Sequence, residues 1–247
     1  MSAPDLTLVM PAFNEADNVR QAVDQAATVL AETVDDWEIV VVNDGSRDAT
    51  GAILDGIAGS SNGRVRAVHH ARNQGLGGAL VTGFGAARGA VIAYCDSDLP
   101  FDMEVLRNAY RTLVDREVDM VTGYRLDRGN EGLQRHVYSF VYNGLVRAAL
   151  GVKVRDVNFS LKMFRRAVFD REGLHSRGSF IDAELLARAR RGGFSITQIP
   201  VAYTPRTRGV STLSRPSVIV GVLYEMALYR LGRLHRPAPA LVPSPAL

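Results

Sequence analysis

Residues 90–102 read AVIAYCDSDLPFD. The run from Ala90 to Cys95 is apolar, and Asp96, Asp98 and Asp102 follow at once. A short run without polar interruption is the pattern of a strand buried on both faces. Working outward, the same pattern recurs. "LTLVM" (6–10), "WEIVVVND" (37–44), "VRAVHH" (65–70) and "DMVTGY" (119–124) read as strands. Between them Val19, Ala22, Val23, Ala26 and Leu30 recur at helical spacing, a short helix runs through Ile53 and Ile57, and "GLGGALVTGFGAARG" (75–89) and 102–116 complete the alternation. Near-continuous apolar strands alternating with helices predict an α/β fold with a mostly parallel sheet covered on both faces.

The second half is less regular. A basic loop, "RLDRGNEGLQRH" (125–136), leads to an apolar helix with Phe140 and Leu145. "SLKMFRR" (160–166) and "SITQIPVAY" (195–203) read as strands, and "SFIDAELLARARRGGF" (179–194) as a helix with early acids and late arginines, which suits the helix dipole. The basic loop "TPRTRGVSTLSR" (204–215) precedes an apolar segment, 217–236, and a Pro/Ala-rich tail whose composition predicts disorder. One domain over 1–215 is expected, in two halves (about 1–124 and 125–215), then an amphipathic helix over 216–236 and the tail 237–247.

Composition bounds the function. With 247 residues and 47% apolar content the chain can build a large single core. The net charge of +3 gives no case for a nucleic-acid partner. Cys95 is the one cysteine, which excludes an intramolecular disulfide and fits a reducing, cytoplasmic setting. It reads as a buried thiol rather than a nucleophile. The N-terminus shows no basic-then-apolar leader, and no stretch reaches the ~20 apolar residues that span a bilayer.

In a parallel sheet, ligands lie beyond the C-terminal strand ends. Four such ends read "PAFNEAD", "NDGSRD", "ARNQGLGG" and "CDSDLPFD". Turn chemistry accounts for their Gly and Asn, but less well for carboxylates on several neighbouring tips. Two unit charges ~4 Å apart interact by up to ~4 kcal/mol at an effective dielectric near 20. A hard divalent cation turns that repulsion into attraction, and Mg²⁺ takes one or two carboxylates plus waters and substrate phosphates. The alternative is a solvated acidic turn. Gly75-x-Gly77 mimics a dinucleotide fingerprint but lacks its third glycine and does not follow the first strand, so a dehydrogenase is not expected; the helix start there could still hold an anion.

The segments "VMPAFNEADNV" (9–19), "IVVVNDGSRDAT" (39–50), "RNQGLGGAL" (72–80), "AYCDSDLP" (93–100), "TGYR" (122–125), "NFSLKMFRR" (158–166), "FIDAELLARARRGGF" (180–194), "IPVAY" (199–203) and "PRTRGVST" (205–212) carry a specific resemblance. In this order they resemble the inverting glycosyltransferases of family 2, of GT-A fold, and most of all the branch of dolichyl-phosphate mannose synthases and polyprenyl-phosphate glycosyltransferases. The resemblance implies a Rossmann-like single domain and a nucleotide-diphosphate sugar donor, GDP- or UDP-linked. It places Pro11, Ala12, Asn14, Glu15, Asp44, Asn73 and Gly75 against the nucleoside. It makes Asp96 and Asp98 the DxD pair that binds Mg²⁺ or Mn²⁺ beneath the diphosphate, with Asp98 also counted as catalytic. Pro100 stands where the synthases often have a metal-contacting Gln, and Asp102 is the nearest substitute.

The resemblance also implies that Arg125, Arg135 and Arg206, with Ser211, hold an acceptor phosphate. Arginine binds phosphate in a bidentate fork. A phosphomonoester, with a second pKa near 6, needs no base; a hydroxyl acceptor does. For a hydroxyl, Asp182 or Glu184 is the candidate base, against a reading of both as helix N-terminal charge. The implied reaction is hexose transfer to a polyprenyl phosphate at the cytoplasmic face of a membrane. "NFSLKMFRR" departs from the synthase pattern and leaves a soluble acceptor open. A nucleotide-sugar-binding protein without turnover is the third reading. Segment 217–236 fits either an interfacial helix, with Arg230, Arg233 and Arg236 toward anionic lipid, or a helix packed on the domain or on a homodimer partner.

Overall fold

The protein is described by a computed structural model covering residues 4–99, 101–126, 133–203 and 216–234, with backbone alone for 133–140, 172, 216 and 217. Seven strands form one sheet: β1 (Leu6–Ala12), β2 (Trp37–Asn43), β3 (Val65–His69), β4 (Val91–Tyr94), β5 (Met120–Arg125), β6 (Lys162–Arg165) and β7 (Ile196–Val201). Their order is β3-β2-β1-β4-β6-β5-β7. β3, β2, β1 and β4 run parallel, as do β5 and β7; β6 lies antiparallel between β4 and β5. The seven strands lie where the apolar runs predict them, and the sheet is mostly parallel as expected.

Helices cover both faces. On one side lie α1 (Val19–Ala31), α2 (Thr50–Ser60) and α4 (Glu104–Asp115). The i, i+3, i+4, i+7 pattern of α1 buries Val19, Ala22, Val23, Ala26 and Leu30 against Leu6, Leu8, Met10, Ile39 and Val41. On the other lie α3 (Gly75–Ala86), α5 (Leu133–Leu150), α6 (Arg166–Glu172), α7 (Ile181–Arg191) and α8 (Pro216–Arg230), around Val9, Val40, Val42, Ile92 and Tyr94. Alternate residues of each inner strand thus serve two cores, which is why those strands read as continuous apolar runs. The short helix α6 has no counterpart in the sequence reading.

Helix α8 corrects the expectation of an amphipathic segment over 216–236. It ends at Arg230. Val222 and Met226 are buried on the domain, while Val220, Leu223 and Tyr224 on the outer side are exposed. Its outer side is therefore apolar rather than polar. Its one acid, Glu225, points inward to Ser176 and Arg177. The tail 237–247 lies outside the described residues.

Candidate active site

The C-terminal ends of β1, β2, β3 and β4 lie side by side, as their parallel pairing requires. Backbone and side chain lace them together. Asp44 N donates to Ala12 O at 2.8 Å, and Ser97 Oγ to Pro11 O at 2.9 Å. Asn14 adopts φ 56°, a left-handed conformation that Asn tolerates, and its Oδ1 accepts from Arg47 N at 2.8 Å. Glu15 N donates to Thr50 Oγ1 at 2.9 Å. Pro11, Ala12, Asn14 and Glu15 thus form one rim with the Asp44 turn.

Asp44 is the most enclosed polar side chain of this rim. Its Oδ1 lies 2.6 Å from His70 Nδ1 and accepts from Gln74 N at 2.8 Å. Its Oδ2 accepts from Gly75 N at 2.9 Å. Asn73 sits beside it, its Oδ1 also accepting from Gly75 N at 3.1 Å. The Asp44 carboxylate therefore caps α3, and Gly78 N donates to Arg177 O at 3.3 Å. Of the amides at this helix start, which could hold an anion, those of Gln74, Gly75 and Gly78 already serve protein acceptors. The glycines have another reason. A Cβ on Gly75, at φ 82°, would lie 2.6 Å from Arg177 O, and one on Gly77 would lie 2.7 Å from Arg177 C. They let α3 sit directly on the backbone of 176–177.

At the β4 tip, Asp96 and Asp98 are half-buried, with Ser97 buried between them. Leu99 next to them has φ 56°, a strained value for a residue with a Cβ. Burial, and then the charges of Asp96 and Asp98, push the Cys95 thiol far above its ordinary range. Cys95 is thus the buried, unreactive thiol expected, and both carboxylates lie close enough to act on it. Among the described residues no group of three or more His, Cys, Asp or Glu side chains could enclose a metal. Both Asp98 carboxylate oxygens are buried at the strand tip, and hard carboxylate donors of this kind suit an ion that completes its shell with phosphate and water. Asp102 Oδ1 accepts from Glu104 N at 3.0 Å at the start of α4. Pro100 lies outside the described residues.

The acceptor half is built on β5, β6 and α7. Arg125 ends β5, its Nε 3.7 Å from Asp156 Oδ2 and its guanidinium over the rings of Tyr203 (4.8 Å) and Phe159 (5.9 Å). Both members of the pair are nearly buried, with side-chain exposures of 10% and 3%. The sequence reading missed Asp156; a lone carboxylate in the turn "VRDVNF" was its only signal. The side chain of Arg135, in α5, and Arg206 and Ser211 lie outside the described residues.

Neither candidate base has the geometry of one. Asp182 Oδ1 accepts from Lys162 Nζ at 2.6 Å and from the Tyr94 hydroxyl. Lys162, fully buried, also donates to Phe159 O at 2.8 Å. Burial, and then the Asp182 charge, hold the Tyr94 phenol well above its ordinary pKa. Glu184, also fully buried, accepts from His175 N, Ser176 N (2.7 Å) and Arg188 Nε (2.8 Å). Asp182 closes a buried ion pair and Glu184 anchors the 175–176 turn. Both candidate bases are thus engaged within the protein.

Residues 7–173 match the family model described as "Glycosyl transferase family 2". The chain is 31% identical over 243 residues to polyprenol monophosphomannose synthase of Mycolicibacterium smegmatis, covering 93% of this chain and 88% of that protein. It is 35% identical over 209 residues to glycosyltransferase AglD of Haloferax volcanii, covering 82% of this chain but 33% of AglD. Dodecaprenyl-phosphate galacturonate synthase of Rhizobium johnstonii is 34% identical over 66% of this chain and 48% of its own length. The chain thus spans between a third and nearly all of these relatives. Among solved structures, glucosyl-3-phosphoglycerate synthase from Mycobacterium tuberculosis superposes with a TM-score of 0.68 at 23% identity, over 95% of this chain and 81% of that one. The same enzyme with Mn²⁺, UDP and phosphoglyceric acid gives 0.66 at 22% identity, over 95% and 80%. Fold and kinship agree, and the chain belongs to glycosyl transferase family 2: it is a glycosyltransferase.

Proposed function

We propose that this enzyme transfers a hexose, with inversion, from a nucleoside-diphosphate sugar to the phosphate of a polyprenyl phosphate. One observation carries the choice of acceptor. Asp182 and Glu184, the carboxylates a hydroxyl acceptor would need, are buried and engaged by Lys162, Tyr94, Arg188 and backbone amides. A phosphate arrives already anionic and needs orientation instead. Arg125 supplies a cation at the end of β5, its plane set by Tyr203, Phe159 and Asp156. The names of the polyprenyl-linked relatives support the same reading.

The donor's nucleoside lies along the rim of Pro11, Ala12, Asn14, Glu15, Asp44, Asn73 and Gly75. Asp96 and Asp98 hold a Mg²⁺ or Mn²⁺ ion, which neutralises charge on the departing diphosphate. Arg125, with Arg135, Arg206 and Ser211, orients the acceptor. Among the described residues no helix is long and apolar enough to cross a membrane. Val220, Leu223, Tyr224 and Leu231 on and after α8, with Val141 and Leu145 on α5, are exposed apolar side chains, and Arg230 and Arg233 are exposed near the end of α8. Apolar side chains with flanking arginines suit peripheral contact with an anionic, cytoplasmic membrane surface.

The test pairs UDP- and GDP-hexoses with a short polyprenyl phosphate or the matching polyprenol, read by mass spectrometry. Product is expected from the phosphate and not from the alcohol; turnover of the alcohol alone would sink the proposal. Asp98→Ala should lower the rate by on the order of a hundredfold or more, and Arg125→Ala should raise the acceptor KM while leaving donor binding unchanged. Sedimentation with anionic vesicles, weakened in Val220→Glu/Leu223→Glu, checks the membrane contact.

A further inference from the structure

We infer that His70 is a positioning residue for the donor nucleoside, acting through Asp44; this rests on the donor reading above. His70 follows β3, and its side chain is 6% exposed. Nδ1 lies 2.6 Å from Asp44 Oδ1, and Nε2 lies 2.9 Å from Thr82 Oγ1, two turns into α3. A carboxylate only accepts, so Nδ1 carries a proton, and in the neutral ring Nε2 accepts from the Thr82 hydroxyl. The ring is held at both ends and has one orientation that satisfies both partners.

The consequence falls on Asp44. Three donors converge on it: the imidazole and Gln74 N on Oδ1, and Gly75 N on Oδ2. Each carboxylate oxygen carries two acceptor sites, so Oδ1 is saturated and Oδ2 keeps one. That one site is what Asp44 can offer to an N–H or O–H of a nucleoside. The two amides engage one oxygen each, and the imidazole adds a third donor that holds the carboxylate against rotation about Cβ–Cγ. The neighbouring His69 shows the contrast. Its Nδ1 accepts from Asn43 Nδ2 at 3.0 Å and its Nε2 faces the exposed Asp55. Adjacent histidines of opposite tautomer thus serve a buried polar network and a solvated pair.

The experiment is calorimetric titration of the full chain with UDP and with GDP, each with Mn²⁺, for wild type, His70→Ala and His70→Asn. Asn places its amide nitrogen where Nδ1 lies, so it can restore the contact to Asp44 but not the one to Thr82. His70→Ala should weaken the nucleotide that the wild type binds by about tenfold, the loss of one hydrogen bond to a charged group. His70→Asn should recover most of that. In turnover, the donor KM should rise in His70→Ala while kcat at saturating donor changes little. Unaltered binding in a folded His70→Ala would overturn the inference. So would equal weakening in both variants, because the lost function would then not be donation to Asp44. A wild type that binds neither nucleotide would instead overturn the donor reading beneath it.

Discussion

Lysine 162 shows how far one residue can depart from its type. It lies in the apolar run "SLKMF", pairs across from Tyr94 in the β4–β6 ladder, and is fully buried. Its ammonium is tolerable there because Asp182, Tyr94 and Phe159 O surround it. Removing one member of a buried pair leaves the other charge unpaired, which typically costs about 3–5 kcal/mol. Lys162→Met should therefore lower the melting temperature by roughly 10 °C, measured by calorimetry, and Lys162→Met/Asp182→Leu should recover part of the loss. A single variant as stable as wild type would show that the pair does not support the fold. A lysine inside a strand pattern was visible in the sequence. Its partner, twenty residues on in a helix, was not, because burial of a charge is decided by what packs around it.

Among the elements, α3 is the one whose composition has a geometric explanation. "GLGGAL" looked like phosphate-binding chemistry, yet Gly75 and Gly77 face the Ser176–Arg177 backbone at a separation that excludes a Cβ. The turn they touch is held from behind by Glu184 of α7 and Glu225 of α8. An alanine in an ordinary helix position is favourable by up to about 1 kcal/mol over glycine. At Gly77 the clash with backbone should reverse the sign. Gly77→Ala is expected to destabilise by about 2 kcal/mol or more in urea unfolding, whereas Gly85→Ala, with open space around its Cβ, should be neutral or stabilising. Equal effects at the two positions would refute the packing account. Element type and approximate span were legible throughout from period and punctuation; α6 escaped because a helix of 7 residues is too short to show a period.

The whole molecule adds an acid sensitivity located away from the site. Glu38, 1% exposed near the start of β2, accepts from Thr7 Oγ1, Arg88 N, Arg88 Nε and Arg66 Nε. Burial works to raise its pKa, but the bonds from Arg88 and Thr7 and the charge of Arg66 prevail and hold it below the ordinary 4.5. A depressed carboxylate contributes stability above its unfolded pKa and loses it as pH falls through the folded value. Wild-type stability should therefore fall below about pH 4.5 more steeply than that of Glu38→Gln, followed by thermal melts across pH 3–7. Parallel slopes would exclude the contribution. By itself the sequence determined the seven strands, the alternation with helices and the acidic strand tips, because each rests on local period or on residue type. Tertiary structure alone decided that β6 inserts antiparallel between β4 and β5, that Asp44 caps α3, and that Asp182 and Glu184 pair with Lys162 and Arg188. Each of those depends on which distant groups meet in a low-dielectric interior, and no local pattern encodes that meeting.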